Sequence, residues 1–98
     1  MTFVHKIDGT VLTIPVEGRL DTITAPELEK DLENSLDGVT ELVFDFQRLE
    51  YISSAGLRVL MFAKKSVNPN ASVKIINVSP AVREVLEITG MGKALTFA

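Results

Sequence analysis

The chain has 98 residues, 46% hydrophobic and 23% charged, with a formal net charge of -3: enough for one domain and one core, with little left for an enclosed active-site cavity. Zero cysteines remove disulfides, thiolate catalysis and cysteine-based zinc sites, and a solitary His5 argues against a His-based metal site or a Ser-His-Asp triad. Lys and Arg are scattered among a larger number of Asp and Glu, which argues against nucleic acid as a partner, and no apolar run approaches the roughly 20 residues of a membrane span, so the chain reads as a cytoplasmic protein with no membrane partner.

Residues 2 to 8 and 10 to 17 are rich in β-branched side chains and flank Asp8-Gly9, a pair suited to a hairpin turn. Pro15 cannot donate to a ladder, so the second strand is predicted to be irregular or at an edge there. His5 reads as a strand residue without a chemical role. A helix is predicted from Ala25 to Leu36, with Thr24 as cap, Pro26 in the first turn and Glu27 completing a capping box. Leu28, Leu32 and Leu36 recur at i, i+4 and i+8 and form its apolar stripe, and Asp37-Gly38 ends it.

Residues 41 to 46 read as a short buried strand, and Leu57 to Val67 as an apolar helical run finishing with Lys64 and Lys65 at the negative end of its dipole. Met61 and Phe62 belong most simply to the core. Residues 72 to 78 form a further strand. Ser79 caps a third helix with Pro80 at its first position, Gly90 stops it, and a last strand covers about Ala94 to Phe97. The order β-β-α-β-α-β-α-β predicts an α/β sandwich: an N-terminal hairpin, then alternating helices and strands around a mixed, largely parallel sheet.

The most unusual segment runs from Asp45 to Leu57, out of a strand and into a helix that opens on Ser53-Ser54-Ala55-Gly56. Glycine at the start of so apolar a helix suggests that another chain segment or a partner needs close access. Read locally, Ser53 is an N-cap and Ser54 a small first-turn residue. The same place suits a phosphate, because unpartnered N–H groups and the macrodipole favour negative charge there, and a phosphoserine would alter a surface without melting the helix. A nucleophilic serine has no support: no histidine or cysteine is near in sequence, and no Gly-x-Ser-x-Gly elbow occurs.

That segment resembles the signature of the STAS domain family, specifically the bacterial anti-sigma factor antagonists, in which a strand ending in Asp is followed by Tyr or Phe and then Asp-Ser-(Ser/Thr/Ala)-Gly-Leu opening a helix. Gly18-Arg19-Leu20-Asp21 with Ala25-Pro26-Glu27-Leu28 resembles the family's Gly-x-Leu-Asp turn and first helix, and Val85 to Met91 resembles its third helix and exit. The resemblance covers almost the whole chain as a single STAS domain, residues 1–98. It departs from the family at Ser53, where many members carry Asp, and in having no residues for a fourth helix after Ala98, which would favour self-association.

The resemblance implies a non-enzymatic switch. Unphosphorylated, the chain would bind an anti-sigma factor that is itself a serine kinase and free the sigma factor. Phosphorylation at Ser54, with Ser53 as the weaker alternative, would abolish binding, and a PP2C-type phosphatase would restore it. ATP and magnesium would belong to the kinase, in keeping with the lack of a Walker-type loop, so no cofactor is implied here. Asp21 would lie beside Ser54 at the partner surface, or serve only as a turn former. Ser53, Ala55 and Gly56 would share that surface. Arg58 would pair with a partner carboxylate or an added phosphate, or remain solvated. Asp45 would brace the loop through the Ser53 and Ser54 amides or hydroxyls, or contact the partner. The alternative is a STAS scaffold, or a small-ligand-binding regulatory module, that uses the fold without serine phosphorylation.

Overall fold

The computed structural model describes residues 3–93 and 95–97. The opening hairpin forms as predicted but is shorter: β1 (Lys6–Asp8) runs antiparallel to β2 (Val11–Pro15), with Asp8 opposite Val11 and Gly9 at φ 62° in the turn. β1 begins at Lys6, opposite Thr13, so the missing N–H of Pro15 lies beyond its ladder. On its other side β2 pairs in parallel with β4 (Glu41–Asp45) along its whole length. Strands β6 (Ser72–Ile76) and β7 (Thr96–Phe97) complete a sheet of order β1-β2-β4-β6-β7, in which every pairing except the hairpin is parallel. Ala94, which the sequence pattern assigns to the last strand, lies outside the described residues.

Among the described residues three α-helices accompany the strands, α1 (Thr24–Glu33), α2 (Ser54–Ser66) and α3 (Pro80–Ile88), with a short 3-10 turn at Met91–Lys93. One core joins them to the sheet, with Ile14, Leu28, Leu32, Phe44, Leu60, Ile75 and Leu86 all fully buried. Leu42 and Phe44 point to one face of β4 and Val43 to the other, yet all three are buried, which is why this strand reads as a continuous apolar run. The third helix is capped as predicted: Ser79 accepts a hydrogen bond from the Val82 N–H at 3.3 Å, Pro80 opens the helix, and Gly90 leaves it at φ 77°.

Several predictions about the elements require correction. Helix α1 ends at Glu33 and not at Leu36: the Ser35 hydroxyl donates to the Asp31 carbonyl at 2.6 Å and its N–H to the Leu32 carbonyl, a tightened last turn that leaves Leu36 buried beyond the helix. Helix α2 opens three residues before Leu57 and stops one before Val67. His5 has a partner, its Nε2 lying 2.6 Å from Asp31 Oδ2, so it ties the segment before β1 to α1. Finally, two strands escape the sequence pattern. β3 (Gly18–Leu20) and β5 (Leu49–Ile52) form a separate parallel pair, with Arg19 opposite Tyr51 and Leu20 opposite Ile52. Among the described residues, no helix is long and apolar enough to cross a membrane.

Candidate functional site

The two-stranded sheet delivers two chain segments to the same place. β5 ends at Ile52 and leads through Ser53 into α2, while β3 ends at Leu20 and leads through Asp21 into α1. The Ser53 N–H donates to the Leu20 carbonyl at 2.9 Å, which extends the β3–β5 pairing and holds the Asp21 turn against the start of α2.

Ser53 occupies the N-cap position with extended backbone (φ -101°, ψ 178°), and its carbonyl accepts the first helical hydrogen bond from the Leu57 N–H at 3.0 Å. Its side chain does not cap the helix. The Ser53 hydroxyl is buried without a hydrogen-bond partner, whereas Ser54, the first helical residue, is exposed. Ala55 is half-buried against the core and Arg58 is exposed.

The close access that Gly56 permits is used by the chain's own residues. A Cβ built there would lie 2.7 Å from Ile52 Cγ1 and 2.8 Å from the Leu20 carbonyl oxygen. Gly56 is buried and supports the surface from beneath, which corrects its predicted place on the exposed surface.

Asp21 carries the largest local network. Its Oδ1 accepts the N–H groups of Ile23 (3.0 Å) and Thr24 (3.1 Å), and its carbonyl accepts the Ala25 N–H at 2.8 Å, the first i to i+4 bond of α1. In return the Thr24 hydroxyl accepts the Asp21 N–H at 2.9 Å, and it also donates to the Arg19 carbonyl at 2.6 Å. Asp21 is thus the hydrogen-bonding cap of α1, with Thr24 as the reciprocal member of the box, which corrects the predicted cap at Thr24. Those backbone N–H bonds, Thr24 first and Ile23 second, hold the Asp21 carboxyl below the usual carboxylate range, so it is ionised at neutral pH.

Arg19 adds a contact that no local pattern announces. Its guanidinium stacks 4.1 Å from the centroid of the Tyr51 ring, and its Nε lies 3.5 Å from Asp21 Oδ2. Ile23, between Asp21 and Thr24, projects its side chain into solvent with 73% exposure. The signal for these residues lies in the cross-strand register of β3 and β5, two strands too short for periodicity to reveal.

Asp45 does not brace the loop at Ser53 and Ser54, contrary to the sequence-based expectation. Its Oδ1 instead accepts the Gln47 N–H and the Asn77 Nδ2 amide, both at 3.0 Å. The reason is topological, since Asp45 ends β4 in the five-stranded sheet beside the end of β6, whereas Ser53 follows the other sheet. Asn77 reaches this position in the left-handed region, at φ 58°. An open groove lined by Phe3, Lys6, Pro15, Glu17, Asp45 and Arg48, among others, has neither Asp21 nor Ser54 in its lining. Among the described residues, no cluster of three or more His, Asp or Glu could hold a metal ion.

Known proteins share this arrangement of elements. A sequence profile of the STAS domain matches residues 3–98. BtrV of Bordetella bronchiseptica, named as an anti-sigma factor antagonist, is 40% identical over 87 residues, which cover 87% of this chain and 74% of BtrV. The anti-sigma-B factor antagonist of Staphylococcus aureus is 32% identical over 80 residues, covering 80% of this chain and 74% of that protein. The crystal structure of an anti-sigma factor antagonist from Mycobacterium paratuberculosis superposes with a TM-score of 0.89 at 26% identity, over 98% of this chain and 83% of the other.

Proposed function

This chain belongs to the STAS domain family, and from that premise we propose that it is an anti-sigma factor antagonist whose binding is switched by phosphorylation of Ser54. The names of its relatives in Bordetella bronchiseptica and Staphylococcus aureus support the antagonist role. The observation that carries the choice of Ser54 is the contrast between the two serines: the Ser54 side chain is exposed, and the Ser53 hydroxyl is buried. A kinase can reach the first without moving the backbone.

In this reading the unmodified protein presents Ser54, Asp21 and Arg58, with the rims of Ser53 and Ala55, to an anti-sigma factor that is a serine kinase, and the sigma factor is released. Phosphorylation forms a bond from Ser54 Oγ to the γ-phosphorus of ATP and breaks the bond to the β,γ-bridging oxygen. ADP leaves, and the hydroxyl proton passes to a base of the kinase. The phosphoserine carries roughly -1.5 to -2 charges at the start of α2, where the macrodipole is positive, so the helix persists while the charge it shows to the partner changes. A PP2C-type phosphatase hydrolyses the ester and resets the surface. The chain supplies the hydroxyl and its setting; the partner supplies nucleotide, magnesium and catalysis.

Mass spectrometry after incubation with the cognate kinase and ATP tests the assignment. Phosphate is expected on Ser54 in the parent chain and in Ser53→Ala, with none in Ser54→Ala, and Ser54→Asp should lose affinity for the anti-sigma factor. A chain that takes no phosphate at Ser54, and whose Ser54→Asp variant binds undiminished, overturns the switch.

A further inference from the structure

We propose that the open groove at the end of the hairpin binds a small zwitterion with an apolar body, the chemical class of a hydrophobic amino acid. The groove is separate from Ser54, and its test needs no partner protein. It opens where the β1–β2 ladder stops. Lys6 pairs with Thr13, and Pro15 farther along β2 has no N–H with which to continue, so residues Phe3 to His5 run past β2 without strand pairing. Phe3 and Val4 of that segment form one wall. The other comes from the two connections that leave the five-stranded sheet for the two-stranded one, with Val16 and Glu17 between β2 and β3, and Gln47 and Arg48 between β4 and β5. The groove thus lies outside the carboxyl ends of two neighbouring parallel strands, the end of an open α/β sheet at which ligands bind.

Both walls are fixed without a ligand. The 2.6 Å contact between His5 Nε2 and Asp31 Oδ2 holds the segment before β1 to α1. The Val16 N–H donates to the Asp45 carbonyl at 3.0 Å and the Gly18 N–H to the Arg48 carbonyl at 2.9 Å, which ties the two connections together. A volume of about 520 Å³ falls within the range of preformed small-molecule sites.

The charges along the lining specify the ligand. Lys6 and Arg48 are cationic and Glu17 is anionic, and among the described residues no hydrogen bond or ion pair engages any of these three side chains. Asp45 adds a second carboxylate, of which Oδ1 is held by the Gln47 N–H and the Asn77 amide. Unpaired charges of both signs in one groove are complemented by a molecule that carries both, a carboxylate for Lys6 and Arg48 and an ammonium group for Glu17 and Asp45. A simple anion or cation would satisfy one set and be repelled by the other. Phe3, Val4 and Pro15 supply apolar surface for the body of the ligand.

Chemical-shift titration of the full, unmodified chain with three probes of similar shape tests the site: L-phenylalanine, phenylpropionate, which lacks the ammonium group, and phenethylamine, which lacks the carboxylate. L-phenylalanine is expected to shift the backbone amides of Val16, Glu17, Gln47 and Arg48 saturably and to bind about fivefold or more tightly than either single-charge probe, the factor that one exposed charge contact can supply. Arg48→Gln and Glu17→Gln should each weaken its binding by about the same factor. Lys65→Gln, in the last turn of α2 and outside the groove, should bind as the parent does. The probe comparison uses the parent chain alone, so it decides the matter even if a variant folds poorly. Absence of a saturable shift with L-phenylalanine, equal binding of either single-charge probe, or parental binding by both groove variants overturns the site.

Discussion

Replacing Gly56 by Ala introduces one methyl group where α2 meets β3 and β5. The new Cβ would lie 2.7 Å from Ile52 Cγ1, 2.8 Å from the Leu20 carbonyl oxygen and 3.0 Å from Leu20 Cγ. Neither neighbour can retreat freely. Ile52 and Leu20 are buried, and the Leu20 carbonyl accepts the Ser53 N–H, so moving it stretches the bond that joins the two segments. Alanine gains up to about 1 kcal/mol over glycine in helical propensity. Against this stand overpacking at about 1–3 kcal/mol and weakening of one hydrogen bond at about 0.5–1.5 kcal/mol. The net expectation is destabilisation by about 1–3 kcal/mol, read as a lower urea midpoint, with a thermal midpoint falling about 4–8 °C per kcal/mol for a domain of this size. Gly38→Ala is the informative companion. At φ 77° with nothing within 4 Å of the point where its Cβ would stand, it should cost only the left-handed backbone penalty of about 1–2 kcal/mol and leave partner binding unchanged. Gly56→Ala with parental or higher stability would mean that α2 and the β3–β5 pair are farther apart than the structure has them.

Two serines at N-cap positions should behave differently. Ser79→Ala removes the acceptor of the Val82 N–H and should cost about 1 kcal/mol in urea unfolding. Ser53→Ala removes no hydrogen bond and relieves a buried orphan hydroxyl, so it should stay within about 0.5 kcal/mol of the parent or exceed it; a loss equal to that of Ser79→Ala would show that the Ser53 side chain caps α2 after all. Asp21→Ala should have a pH-dependent effect. Because the folded carboxyl is held below its unfolded value, its stabilisation is complete above the unfolded pKa of about 4 and is lost as pH falls through the lower folded value. The gap in thermal midpoint between parent and Asp21→Ala should therefore be widest near neutrality and close in acid, and a gap that stays constant through that range contradicts the cap.

The parts of this fold that are legible in local sequence are those in which a local pattern also supplies the stabilisation. Leu42 to Phe44 form an unbroken apolar run because both faces of β4 are covered, and Ser79-Pro80 supplies the cap and first turn of α3 without outside help. β3 and β5 carry no such pattern. Three and four residues long, they stabilise each other across a long stretch of intervening chain, and the bond from Ser53 to Leu20 that completes them is visible only in space. The cap expected at Thr24 lies instead at Asp21 for a related reason. Several acceptors compete for the orphan N–H groups at the start of α1, and Asp21 prevails because β3 delivers it to that point with Thr24 Oγ1 already turned back toward Arg19.

The same dependence governs the candidate site. Ser54 is legible because a hydroxyl at a helix start has distinctive physics, and Asp21 and Arg58 come with the resemblance, but Ile23, Tyr51 and the stacking role of Arg19 belong to the register of two short strands. A site assembled in this way needs no cavity. Leu20, Ile52 and Gly56 lock two chain reversals together from below, and each exposed residue above them becomes a fixed point relative to Ser54. Replacing Ser54 by Ala should therefore abolish the phosphorylation response while leaving stability within about 0.5 kcal/mol of the parent, because the exposed Ser54 side chain is not part of the buried bracket beneath it.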